Sequence, residues 1–214
     1  MLKVSAADQY LIASGDTPLL EVWQALPKGL FPPFPPVELP GGLDGLLKRG
    51  GFAQTFFVGS ELLGLKFRSP KGHIIQAGGL TVKNVQGFDL ARPFVGSFGA
   101  MGDVLEATLR LRPGRASVFL RRKGELSNLP IKPRFLWQAL AHTYAFHFGH
   151  PLEVRRFAES FGGEEVGEGL DYRGLFPNGM GVGPGHLVDL RFSWADGDSR
   201  PEMPEAFRRL AEAI

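Results

Sequence analysis

The chain has 214 residues, enough for one or two domains with a real core. Its 24 Lys and Arg nearly balance its 22 Asp and Glu, and no long basic run occurs, which argues against a nucleic-acid partner. Cysteine is absent, so disulfides, thiol catalysis and an iron–sulfur cluster ligated by this chain are excluded. No signal peptide is present, and no apolar run reaches the roughly 18 residues of a membrane span, so a soluble cytoplasmic protein is expected. The 29 glycines and 17 prolines imply many turns.

Tyr10 to Ser14 reads as a strand. Thr17-Pro18 has the form of a helix N-cap followed by a first-turn proline. Leu19, Val22, Trp23 and Leu26 then share one helical face, so a helix is expected to about Leu26, with Trp23 in the core. Pro27 to Gly42 is proline-rich and predicts an extended, rigid connector, because proline fixes φ and restrains its predecessor. Gly41 to Gly51 predicts a helix with Leu43, Leu46 and Leu47 on one side. Phe52–Phe57, Leu62–Arg68 and His73–Gln76 read as strands, with Ser69 to Gly72 as a hairpin turn.

Gly78 to Pro113 is the most informative stretch. Asp89 can cap a short helix over Leu90 to Val95, with Pro93 near its start and Gly96 in the left-handed closing position. Gly96, Gly99 and Gly102 follow at a spacing of three. Such a loop lacks side chains where backbone could approach a flat or phosphate-bearing ligand, and its N–H groups could receive anionic oxygens. On spacing alone it is more often a plain turn. From Val104, Leu105, Ala107, Leu109 and Leu111 alternate with Glu106, Thr108, Arg110 and Arg112, the pattern of a half-buried strand.

Beyond Gly114, Arg115 to Arg122 reads as a strand. Tyr144, Phe146 and Phe148 alternate with Thr143, Ala145 and His147, which predicts an aromatic strand face. Pro151 starts a helix with Val154, Phe157, Ala158 and Phe161 inward, closed by Gly162. Residues 167–185 form a glycine-rich loop. Val188, Leu190, Phe192 and Trp194 read as one further strand. Pro204 opens a terminal helix with Phe207, Leu210, Ala211 and Ile214 inward. His142 and His147 fall on opposite strand faces, so no convergent metal set with His150 is predicted. Glu164-Glu165 reads as solvated. No nucleophile or phosphate-loop motif occurs, and no catalytic residue is assigned.

The run from Lys83 to Pro113, KNVQGFDLARPFVGSFGAMGDVLEATLRLRP, resembles the flavin domain of FAD-linked oxidases of the vanillyl-alcohol-oxidase type. It is most similar to the glycolate oxidase E-subunit family. SGDTPLLEVWQAL and LFPPFPP upstream, and RASVFLRR and FAESFGGEEV downstream, resemble the same family more loosely. The resemblance implies an α+β fold: residues 1–114 as a shortened PCMH-type FAD-binding domain (its second subdomain), and residues 115–214 as a small α+β C-terminal subdomain. It implies FAD as cofactor, with Asn84, Gly87, Asp89, Gly96, Ser97, Gly99, Gly102, Asp103 and Val104 near it, and Lys83 evenly balanced between ligand and solvated turn. It further implies a sister FAD-linked oxidase subunit and an iron–sulfur subunit as partners, in a complex that oxidises glycolate or a related 2-hydroxy acid. The location would be cytoplasmic, or peripheral to a membrane through those partners.

Three departures from the family pattern stand out. The first subdomain, with the loop that cradles the FAD pyrophosphate, is expected to be absent. Pro40 to Gly51 carries Asp44, Lys48 and Arg49 where small residues near the flavin are usual. Asp103 replaces a branched apolar residue, and Leu105 a Thr. A competing reading follows: a non-enzymatic assembly subunit of the same complex that has lost FAD.

Overall fold

The computed structural model describes residues 1–50, 58–80, 89–124, 129–139, 141–175, 188–189, 194–195 and 205–214. In chain order the elements are β1 (Leu2–Ser5), β2 (Tyr10–Ser14), α1 (Leu19–Ala25), β3 (Leu30–Phe31), β4 (Val37–Glu38), α2 (Gly42–Arg49), α3 (Val58–Glu61), β5 (Leu62–Arg68), β6 (Ile74–Gly78), α4 (Ala91–Phe94), β7 (Asp103–Arg110) and β8 (Arg112–Pro113). Then follow β9 (Ala116–Lys123), β10 (Phe135–Ala139), β11 (His142–Gly149), α5 (Pro151–Phe161), β12 (Glu164–Glu165), β13 (Leu170–Asp171), β14 (Val188–Asp189), β15 (Trp194–Ala195) and α6 (Glu205–Ala213). The fold class is α+β, as expected.

A five-stranded sheet in the order β1-β2-β7-β5-β6 forms the first half, with every pairing antiparallel. The alternation read in the sequence sets its inner face: Leu11, Ala13, Ala107 and Leu109 are fully buried. A four-stranded sheet in the order β10-β11-β9-β12 forms the second half. One apolar cluster joins the halves, drawing Leu11, Leu43 and Leu109 together with Phe119, Trp137 and Phe146. On β11 the aromatic face is confirmed as core: Phe148 stacks on Phe31 with ring centroids 4.3 Å apart, and Tyr144 stacks on Trp137 at 5.5 Å. The opposite face of β11 supports α5, whose Phe157 and Phe161 pack with Leu120 and Ala145.

The proline-rich connector is buried rather than laid over the surface. Phe31, Phe34, Val37 and Leu39 are core residues, β3 pairs with β8, and β4 pairs in parallel with β13. Proline suits such a path because it brings no N–H that burial would leave unpaired.

Several expectations shift. α1 begins at Leu19 with Pro18 at the cap position and no capping side chain of its own. Thr17 instead shares a hydrogen bond with the Ser14 hydroxyl at 3.0 Å. Val188 to Trp194 is not one strand: Val188–Asp189 folds back against Trp194–Ala195 in antiparallel register. The short helix after Asp89 covers Ala91–Phe94 only. The expected strand Phe52–Phe57 lies outside the described residues, as do Lys83, Asn84 and Gly87. Among the described residues no helix is long and apolar enough to cross a membrane.

Candidate functional site

The site is built around the two ends of α2. At its first turn the segment Gly15–Thr17 runs against the helix end. Asp44 N–H donates to the Gly15 carbonyl at 2.7 Å, and Leu43 N–H to the Thr17 carbonyl at 3.0 Å. Gly42 and Gly45 N–H bond to Leu39 and Gly41 carbonyls at 3.2 and 3.1 Å. The donors that a helix start would offer to an anion are thus filled by the chain itself. Two glycines allow the close approaches here: a Cβ on Gly42 would stand 2.5 Å from the Thr17 carbonyl oxygen, and one on Gly15 would stand 2.1 Å from the Val104 carbonyl oxygen of β7.

Beside this end opens a cleft of about 480 Å³, lined by Gly15, Asp16, Pro18, Glu38, Leu39, Gly41, Gly42, Asp44, Asp103, Val104 and Arg173. Its charge is mainly negative. A hydrogen bond from Ser14 holds the Asp16 carboxyl below its usual range. Arg173, the one cation among the described lining residues, is forked onto Asp171, with Nη2 2.5 Å from Oδ2 and Nε 3.0 Å from Oδ1. That pairing holds the Asp171 carboxyl low and the arginine charged.

The glycine loop lies at the other end of α2. Gly96 N–H donates to the Leu47 carbonyl and Phe98 N–H to the Lys48 carbonyl, both at 2.8 Å. These are last-turn carbonyls that the helix cannot satisfy internally. Ser97, Ala100 and Gly102 N–H close local turns onto Phe94, Ser97 and Gly99 carbonyls at 3.0 to 3.1 Å. The loop therefore acts as a C-terminal cap for α2, with oxygens of this chain where an anionic ligand's could sit. Gly102 is fixed by packing as well as by its φ of +105°, since a Cβ there would lie 1.9 Å from the Arg68 carbonyl oxygen.

Three of the charged departures form one network across these parts. Lys48 Nζ lies 2.6 Å from Asp44 Oδ2 and 2.6 Å from Asp103 Oδ1. The other Asp44 oxygen accepts Val104 N–H at 2.8 Å. Partial burial works against the Lys48 charge, but the hydrogen bonds it donates to Asp103 and Asp44 outweigh that and raise the amine above its ordinary value. The aliphatic part of Lys48 covers Gly99, with Cδ and Cε 3.9 Å from where its Cβ would be.

The structure thus divides the expected cofactor residues. Asp103 and Val104 line the cleft; Gly96, Ser97, Gly99 and Gly102 belong to the cap at the far end of α2, where Ser97 is buried. Asp89 stands apart and exposed: Oδ1 accepts Arg92 N–H at 3.2 Å, and the carboxylate pairs with the Arg92 guanidinium at 3.1 Å. Sequence reasoning missed Glu38. This buried carboxylate accepts Leu19 N–H at 3.2 Å and Leu20 N–H at 3.1 Å, so the start of α1 is capped from a strand far along the chain. An acid inside an otherwise apolar run, VELP, was its only signal.

Comparisons with known proteins give partial matches. Residues 119–197 match a family described only as of unknown function, DUF5639. The chain is 41% identical over 76 residues to the glycolate oxidase subunit GlcD of Bacillus subtilis, which takes in 36% of this chain and 15% of that subunit. It is 32% identical over 116 residues to the glycolate oxidase subunit GlcE of Escherichia coli, taking in 49% of this chain and 33% of that one. The chain thus spans a third or less of the curated relatives it matches. Among solved structures, wild-type BBE-like 1 of Physcomitrella patens superposes with a TM-score of 0.48 at 14% identity, over 78% of this chain and 41% of that one. The resemblance read from the Lys83–Pro113 motif agrees with these partial matches: over part of its length the chain is similar to subunits of glycolate oxidase.

Proposed function

We propose that this chain is a subunit of a glycolate- or 2-hydroxy-acid-oxidising complex that serves in assembly and does not hold FAD by itself. In this reading residues 1–114 are the second subdomain of a PCMH-type domain, and residues 115–214 a partner-contacting subdomain. A sister flavoprotein subunit carries the oxidation, and an iron–sulfur subunit takes the electrons.

The carrying observation is the fate of the backbone donors. The N–H groups of residues 42–45, 96–98, 100, 102 and 104 are all used inside the chain. A flavin subunit needs such donors free and converging on the cofactor. The cleft beside them collects Asp16, Glu38, Asp44 and Asp103, and like charges at that range repel a pyrophosphate. Among the described residues, the donor set does not fit FAD.

A second reading rests on one observation. The cleft brings Asp103 and Val104 beside Gly41 and Gly42, the segment that the resemblance puts close to a flavin. Here the cleft is half of a shared FAD site, and another chain supplies the cations and free donors.

The test is co-expression of this chain with a tagged GlcD-type flavoprotein and the iron–sulfur subunit. Retention of all three through gel filtration is the expected result. A flavoprotein–iron–sulfur pair that forms and stays complete without this chain overturns the assembly role.

A further inference from the structure

Two histidines stand at the start of α5, one beneath it and one at its N-cap. His147 on β11 is 1% exposed beneath the helix, its ring against Phe157 with centroids 4.8 Å apart. Three residues on, His150 occupies the N-cap position of α5, where its Nδ1 accepts Leu152 N–H at 3.3 Å. A protonated imidazole has no acceptor nitrogen, so proton uptake cancels that cap. It also places a positive charge at the end of a helix that already bears partial positive charge.

The charged groups facing the His147 ring are few. From α5, Glu153 Oε1 lies 3.4 Å from Nε2. From the segment before β10, Arg134 adds positive charge; its guanidinium lies over the Phe148 ring at 5.3 Å, and its Nε donates to the Phe148 carbonyl at 3.3 Å. β9 presents only Val118 as the cross-strand partner. Arg155 and Arg156 on α5 are exposed. Burial and Arg134 both disfavour the imidazolium; Glu153 favours it. Burial is the largest effect, and the imidazole is held below its ordinary value of 6.5.

The far end of α5 is anchored differently. Arg122 donates to the Phe161 carbonyl at 3.0 Å, and β12 pairs with β9 directly after it. The helix therefore has a proton-sensitive start and a proton-insensitive end.

We propose that the N-terminal half of α5 is a proton-operated latch, docked on β9 and β11 while His147 and His150 are neutral and released when they take up protons. Release uncovers the apolar seam of Leu120, Ala145 and Phe157.

Hydrogen exchange of the full chain, followed by mass spectrometry and corrected for intrinsic rates, tests this at about pH 8 and about pH 5. Protection over residues 152–157 should fall about tenfold or more at the lower pH, while β11 keeps its protection. His150→Asn supplies a non-titrating acceptor at the cap, and His147→Gln a non-titrating polar group beneath the helix. Each should reduce the fall and the double variant should remove it. Equal protection at both pH values in the parent chain overturns the proposal. So does an undiminished fall in the double variant, or a loss in β11 as large as that in α5, which would mean general acid unfolding.

Discussion

Glu38→Ala should weaken the fold by about 3 kcal/mol. The Glu38 carboxylate is 3% exposed and accepts two first-turn N–H groups of α1, at 3.2 and 3.1 Å. A hydrogen bond to a charged group contributes about 1.5–3 kcal/mol, so the pair has a gross value of about 3–6 kcal/mol. Removing the buried charge returns part of that through relieved desolvation, which leaves the lower end of the range. Glu38→Gln keeps one acceptor oxygen and its shape, so about half the loss is expected. For a chain of this size about 3 kcal/mol lowers Tm by about 6–12 °C. Thermal unfolding followed by far-ultraviolet circular dichroism, with urea titration as a second probe, gives both numbers. An Ala variant within about 0.5 kcal/mol of the parent would refute the reasoning, because one buried and one half-buried donor would then have been left without cost.

Other perturbations follow from the same contacts. Glu61 is 1% exposed and held by Arg112 through bonds of 2.6 and 3.0 Å; Arg112→Leu should cost about 3–5 kcal/mol by leaving that carboxylate unpaired, and adding Glu61→Leu should recover much of it. Denaturant midpoints of the single and double variants measure this, and a double variant no more stable than Arg112→Leu goes against it. Gly102→Ala forces both a φ of +105° and a Cβ into the Arg68 carbonyl, so a loss of about 3 kcal/mol in urea unfolding is expected; an unchanged midpoint would contradict the packing of β7 on β5. Burial, with Tyr144 nearby, pushes the Tyr172 hydroxyl well above its ordinary value of 10. The unfolded chain then loses this proton first, so stability should fall as pH rises past 10 towards the folded value. Alkaline unfolding of Tyr172→Phe should show a shallower decline, and an identical decline would rule Tyr172 out as the cause.

Local signals were legible in the sequence and distant partners were not. β2 and β5 coincide with the strands expected at Tyr10–Ser14 and Leu62–Arg68, because alternation is a property of adjacent residues. α2 and α5 likewise follow their leucine and phenylalanine spacing. The glycine loop was correctly located between α4 and β7, but spacing cannot say which oxygens its N–H groups will meet. Those oxygens belong to Leu47 and Lys48, far back in the chain. Asp44 and Lys48 are one helical turn apart and legible as a pair; Asp103 joins them only through the fold, 55 residues from Lys48. The Thr17 cap fails for the same reason, since Glu38 reaches α1 from β4 and takes its place. The strand expected over Val188 to Trp194 turns back on itself, and alternation alone does not reveal a reversal inside a run.

One measurement reaches the central claim most directly: the visible absorption spectrum of the purified chain, before and after mixing with excess FAD and gel filtration. With the donors around α2 already used and the cleft acidic, the protein peak should stay colourless while all flavin elutes later. Flavin bands that co-elute with the chain alone would contradict the claim. They would show that Asp103, Val104 and the glycines beside them, with this chain's own donors, suffice to hold the cofactor.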